Sequence, residues 1–205
     1  MKEENQKDRY TGPATSRQSY MDQFSVACPK CQKHAIVIAD TTYGSSDGIL
    51  RCSHCMYSEK SLDLVRYKMV VDHACDNCGK MMDVEVLTVK QLQKEITVPC
   101  NHCGIVRTHA VKPQRYKFFY NTQKGVATDP IFNLPLWYQS PFKNHNFWAY
   151  NRQHLEDIAV YVQAKLRERQ PAGFTTMVER LPQFIKEAKN REAILRIIEK
   201  LNRLG

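Results

Sequence analysis

No run of about 18 apolar residues occurs anywhere in these 205 residues, which excludes a membrane-spanning helix of ordinary length. The charged opening Met1-Lys2-Glu3-Glu4-Asn5-Gln6-Lys7-Asp8 contains no apolar signal region, so the expected compartment is the cytoplasm. Glycine is scarce, at eight residues, and none builds a phosphate-cradling loop; a His-Glu-x-x-His run and a nucleophile elbow are missing too. His145 and His154 have no cysteine, serine or paired carboxylate at a spacing that suggests a triad or a metal centre. The expectation is therefore a protein that is not an enzyme, with no small-molecule substrate and no membrane partner. One absence points the other way: no cysteine stands alone.

All eight cysteines fall into four Cys-x-x-Cys pairs, Cys28/Cys31, Cys52/Cys55, Cys75/Cys78 and Cys100/Cys103, separated by 20, 19 and 21 residues. A Cys-x-x-Cys turn lets two thiolates reach one ion, and two such knuckles joined by a β-hairpin complete a tetrahedral four-sulfur site. The spacing repeats, since Cys28 to Cys75 is 47 residues and Cys52 to Cys100 is 48. The closing knuckles Cys52-Ser53-His54-Cys55 and Cys100-Asn101-His102-Cys103 match in their histidine. A duplicated unit binding one metal per copy favours Cys28/Cys31 with Cys52/Cys55 and Cys75/Cys78 with Cys100/Cys103, with a cross-braced exchange of knuckles as the competitor. Two Zn2+ are the expected cofactors, rubredoxin-type iron being the alternative, and a disulfide framework would need an oxidising compartment. His54 and His102 read as exposed knuckle residues, because four cysteines already fill each site. Two β units of about 40 residues are too small to rely on apolar burial alone, so metal ligation takes over the role of a core.

The expected organisation has five segments. Residues 1–23 are polar and read as a disordered leader. Residues 24–60 form zinc ribbon one, with a strand over 34–39, a turn at 43–48 and a return strand at 49–51. Residues 61–112 hold a connecting strand and zinc ribbon two, with strands over 83–89 and 96–98. Residues 113–147 are an aromatic-rich connector; between Tyr116 and Tyr150 lie 11 of the chain's 20 aromatic residues, interrupted by Pro130, Pro135 and Pro141. Residues 148–205 read as three amphipathic helices: one through Leu155, Ile158, Ala159, Val162 and Leu166, ended by Pro171 and Gly173, a second from Thr175 or Thr176 through Ala188 with Pro182 marking a kink or fresh start, and a third capped near Asn190. The fold class is thus α+β, two tandem zinc ribbons followed by a small three-helix C-terminal domain.

Charge is divided unevenly. Residues 1–103 hold 13 basic and 13 acidic side chains, whereas residues 104–205 hold 17 and 8 and account for the whole formal charge of +9. Each loaded four-thiolate zinc site carries about −2, which sharpens the contrast. Basic residues interleaved with aromatics neutralise phosphates while stacking on bases, and Arg115, Lys117, Lys143 and Arg152 are the candidate nucleic-acid contacts. Against this, aromatics at such density are more often core than base platforms.

The tandem knuckles, together with Leu134-Pro135-Leu136-Trp137, Trp148-Ala149-Tyr150-Asn151, His154-Leu155, Leu181-Pro182 and Lys189-Asn190-Arg191, resemble bacterial proteins described as transcription factor IIB-type zinc-ribbon-containing. The resemblance implies a zinc-binding cytosolic protein and no settled biochemical activity, and many members hold one ribbon. The expected function is a non-enzymatic structural-zinc protein that binds nucleic acid through its basic C-terminal half. The alternative is a protein-interaction module, of adaptor or toxin-inhibitor type, using the ribbons and the aromatic connector.

Overall fold

The computed structural model describes residues 9–10, 12–120, 124–166 and 173–204. Among them run strands β1 (Gln23–Ala27), β2 (His34–Ala39), β3 (Gly48–Arg51), β4 (Ser58–Lys60), β5 (Val65–Val71), β6 (Val84–Val89), β7 (Glu95–Pro99), β8 (Val106–Ala110), β9 (Lys112–Lys117), β10 (Tyr138–Phe142) and β11 (His145–Ala149), and helices α1 (Arg152–Gln163), α2 (Gln183–Lys186) and α3 (Arg191–Asn202). The fold is α+β, with small antiparallel sheets and the helices at the C-terminal end. No helix among the described residues is long and apolar enough to cross a membrane. The chain divides into two compact units, Met1–Lys60 with Tyr120–Gly205, and Ser61–Phe119.

In the larger unit, β1 to β4 form an antiparallel sheet in sequence order. The run His34-Ala35-Ile36-Val37-Ile38-Ala39 alternates as a half-buried strand must, with Ala35 and Val37 buried and Ile38 exposed. The far edge of β1 is covered by the aromatic segment: the Ala27 amide donates to the Pro135 carbonyl at 2.9 Å, Trp137 N–H to Ser25 O at 2.9 Å, and Ser25 N–H to Tyr150 O at 2.7 Å. Those bonds explain the aromatics. Phe132 and Phe147 are fully buried, and Tyr138, Phe142 and Tyr150 nearly so, so the aromatic-rich segment from Phe132 onward is part of this unit's core. Buried Asp129 organises its bend, accepting from the backbone amides of Ile131, Phe132 and Leu134.

Helix α1 begins at Asn151, whose Oδ1 accepts from the His154 amide at 2.9 Å, and buries Leu155, Ile158 and Val162. Helix α3 turns Ile194, Ile198 and Leu201 inward. The second helix expected from Thr175 or Thr176 through Ala188 is instead three short pieces, a 3₁₀ turn at Val178–Arg180, one α-turn in α2 after Pro182, the position of the expected kink or fresh start, and a 3₁₀ turn at Ala188–Asn190. Proline at 182 lacks an amide hydrogen, and the chain restarts there. Asn190 precedes α3 but makes no side-chain cap, because its side chain is used elsewhere. Pro171, expected to end the first helix, lies outside the described residues; α1 ends at Gln163.

The expectation of a disordered leader over 1–23 is corrected from Arg9 onward, residues 1–8 and 11 lying outside the described set. Tyr10 and Tyr20 are buried, and Arg17–Tyr20 forms a 3₁₀ turn. The Tyr20 hydroxyl donates to Asp157 Oδ2 at 2.6 Å and its ring stacks on His154, while Tyr10 packs edge-on against Tyr161. Two tyrosines spaced along a polar segment anchor it to α1.

In the smaller unit, β5 is the centre of a three-stranded sheet in the order β6-β5-β9, and β7 pairs with β8. Met69, Val71, Met82, Ile96 and Val98 make its core together with Cys75 and Cys100. The boundary expected at 112/113 is corrected, since β9 crosses it to pair with β5.

Candidate metal centres

The four cysteine pairs make the same turn four times. The amide of each first cysteine donates to the carbonyl five residues on: Cys28 to Lys33 at 2.8 Å, Cys52 to Tyr57 at 2.8 Å, Cys75 to Lys80 at 2.9 Å and Cys100 to Ile105 at 2.8 Å. The residue after each second cysteine is left-handed, with φ of 60° at Gln32, 57° at Met56, 70° at Gly79 and 74° at Gly104. That conformation turns the chain back sharply, so backbone amides end beneath the sulfurs. Lys30 N–H reaches Cys28 Sγ at 3.4 Å, and His102 N–H reaches Cys100 Sγ at 3.4 Å.

The hairpins then bring knuckles together in sequence order. Cys28, Cys31, Cys52 and Cys55 form one group and Cys75, Cys78, Cys100 and Cys103 the other, each group's sulfurs lying within 4.8 Å of one another. Cys28 Sγ is 3.7 Å from Cys55 Sγ and Cys31 Sγ 3.7 Å from Cys52 Sγ; the matching distances in the second group are 3.8 Å from Cys75 to Cys103 and 3.9 Å from Cys78 to Cys100. None of the eight is in a disulfide. Each group is able to hold one metal ion.

The electrostatics favour a cation. The amide of Ile105 draws Cys103 down to about 6, helped by Asn77, whose side-chain amide donates to the same sulfur at 3.6 Å. The Lys80 amide favours the thiolate of Cys78, yet burial and the three neighbouring sulfurs push that group up to about 11. In the first group, burial opposes ionisation of Cys52 but the amides of Cys55 and His54 bring it down to about 7. The Tyr57 amide favours the thiolate of Cys55, which burial and the other three sulfurs nevertheless raise to about 12. Four like charges in so small a space hold one another protonated, and a divalent cation releases all four protons.

His102 is turned away from the sulfurs, its Nε2 lying 2.8 Å from the Met81 carbonyl. The ring therefore braces the knuckle against the neighbouring loop. Asn77 was not singled out by sequence: a polar residue between two cysteines carries no signal until its reach to Cys103 across the hairpins is known.

The four candidate nucleic-acid residues lie on three different segments of the fold. Arg115 and Lys117 lie two apart on β9, opposite Tyr67 and Val65, with the Lys117 ammonium 6.0 Å from the Phe119 ring. Lys143 sits in the β10–β11 turn and Arg152 in the first turn of α1, where it pairs with Glu156 at 3.1 Å. Two therefore fall in each unit. Phe147, next to the basic 143–146 stretch, is fully buried and offers no stacking face.

Comparison with known proteins finds no family model, no curated protein and no solved structure that matches the chain.

Proposed function

We propose that each four-cysteine group holds one Zn2+ and that the protein is a non-enzymatic, structural-zinc protein that binds nucleic acid. The sulfur spacing carries the metal assignment. A tetrahedral ion with Zn–S bonds of about 2.3 Å has sulfur–sulfur edges of about 3.8 Å, against 3.7 to 3.9 Å for two edges of each group and at most 4.8 Å for the rest. Iron in a rubredoxin-type shell has similar edges, and zinc is preferred because closed four-thiolate shells in small β units are its usual structural setting. Four thiolates leave no position open for water, so the ions are scaffold rather than catalyst. Elemental analysis of purified protein is expected to return two zinc atoms per chain; fewer than two, or an iron–thiolate absorption band, overturns the assignment.

The nucleic-acid reading rests on charge. Residues 61–119 hold nine basic and six acidic side chains, and the remainder of the chain holds 21 and 15. Two loaded sites at about −2 each leave both units positive, near +1 and +4. Affinity for an oligonucleotide is expected to fall steeply between about 50 and 200 mM salt. Because residues 104–205 carry the whole formal +9, charge reversal at Arg115 and Lys117 is expected to weaken it more than reversal at Lys30 and Lys33; equal losses refute the C-terminal location. A protein-interaction module is the second reading, and one observation favours it. Ile38 and the 82% exposed Met56 line one groove of about 420 Å3 on the β1–β4 sheet. The aromatic connector supports that reading less, because Phe132, Tyr138, Phe142 and Phe147 are buried, although Phe119 is exposed.

A further inference from the structure

The turn between β10 and β11 carries a lysine where hairpin chemistry disfavours one. Phe142 pairs with His145, leaving Lys143-Asn144 as a two-residue turn, and Lys143 has φ of 52°. Glycine, asparagine and aspartate are the usual occupants of such a position, because a side chain in the left-handed region crowds its own backbone. Strain of this kind points to a function when something holds the residue in place.

Lys143 is held. Its ammonium donates to Asn190 Oδ1 at 2.8 Å and lies 5.1 Å from the centre of the Phe142 ring. Asn190 is only 3% exposed, and its amide nitrogen donates to Phe184 O at 2.9 Å and to Glu187 Oε2 at 3.0 Å, which orients the oxygen toward the lysine. Both partners of the ammonium are neutral, and no carboxylate pairs with it among the described residues. Glu187, the acidic residue among those lining the cleft, is engaged by Asn190 and by Lys189 at 3.3 Å.

These groups line a cleft of about 500 Å3, a volume suited to a nucleotide-sized ligand. His145 forms part of its wall, its ring lying flat on Phe184 with centroids 4.6 Å apart and planes 4° from parallel, and Lys189 stands at the edge. A fixed ammonium with no carboxylate paired to it, beside an imidazole and a second lysine that shares its charge with Glu187, is chemistry that receives a phosphate group.

We propose that this cleft binds a phosphate group, with the Lys143 ammonium as its charge partner and His145 and Lys189 beside it. The phosphate comes either from a free mononucleotide or from the backbone of a single-stranded nucleic acid; only the latter case rests on the nucleic-acid reading above. The zinc-loaded full chain is titrated with adenosine monophosphate, followed by amide chemical shifts, and with a fluorescent single-stranded 12-mer, followed by anisotropy. Each titration is repeated with Lys143→Gly and Lys143→Asn, and the thermal midpoint of every variant is measured. At least a tenfold loss of affinity for one of the two probes in both variants is expected, with shifts in wild type centred on 143–146 and 183–190. The thermal midpoint is expected to hold, because both replacements tolerate the left-handed turn and that relief offsets the loss of the bond to Asn190 Oδ1. Loss confined to the mononucleotide assigns a free ligand; loss confined to the 12-mer assigns a backbone contact. If the 12-mer binds and neither variant weakens it or the mononucleotide, the nucleic-acid reading stands and the cleft proposal falls. If neither probe binds, both fall. A lower midpoint with unchanged affinity makes Lys143 a structural staple to Asn190 and overturns the proposal.

Discussion

The two cysteine groups impose one backbone geometry and meet it with different residues. In the smaller unit the left-handed positions are Gly79 and Gly104; in the larger unit they are Gln32 and Met56. A non-glycine residue there costs about 1–2 kcal/mol. The larger unit tolerates two such residues because its ribbon is built into a core with α1, α3 and the aromatic segment, where Phe24, Val26, Phe132 and Phe147 are almost completely buried. The smaller unit, with a core of seven buried residues of which two are cysteines, has no comparable reserve. What differs between the copies is the amount of apolar structure standing behind each cysteine group.

Removing metal breaks that comparison most strongly. Zinc ligation contributes on the order of 10 kcal/mol to a small ribbon, so Cys100→Ser is expected to unfold residues 61–119. Cys52→Ser is expected to loosen the first ribbon while α1 and α3 stay formed. Hydrogen exchange on the two variants checks this, and equal loss of protection in both units would sink it. Acid comes next. Burial, with a smaller contribution from Arg17, lowers the His154 pKa from 6.5 to about 4. The folded unit therefore binds this proton less readily than the unfolded chain. The stability it contributes is complete above about pH 6.5 and is lost between there and pH 4, by about 3 kcal/mol. Denaturant midpoints across that range, in wild type and in His154→Gln, should show the slope flattened in the variant.

Smaller effects test the knuckles. Gly104→Ala should destabilise by about 1 kcal/mol from backbone strain alone, because an added Cβ at Gly79 or Gly104 meets nothing within 4 Å. Met56→Gly should stabilise by about 0.5 kcal/mol, the relief of strain being partly offset by glycine's larger unfolded-state entropy; the exposed methionine loses no packing. Chemical denaturation of both variants decides whether the asymmetry is energetic. Arg152→Ala should change stability by no more than about 0.5 kcal/mol, since its bond to Glu156 is an exposed i,i+4 pair.

Much of the candidate site was legible. Cysteine spacing and the 47/48-residue repeat pointed to two groups of four, and the sulfurs gather in those groups. Strands β2 and β3 and the apolar faces of α1 and α3 could be read because their periodicity is local. Strands β1, β4, β8, β9, β10 and β11 were missed. They are short, and their pairing partners rather than their composition make them strands; β9 contains proline and four polar or charged residues and forms against β5. Tyr10 and Tyr20 were read as part of a polar leader because their partners, Tyr161, Asp157 and His154, are more than 130 residues away. Lys143 was picked out for its charge, but the amide that fixes it belongs to residue 190.

By itself the sequence determined the cysteine grouping: sulfurs at Cys-x-x-Cys spacing converge wherever the turn is made, and no distant partner is needed to make it. The tertiary structure alone decided which segments share a core. Burial and hydrogen-bond satisfaction are settled by whatever packs opposite, so a ribbon, an aromatic segment and two helices became one body while the second ribbon formed another.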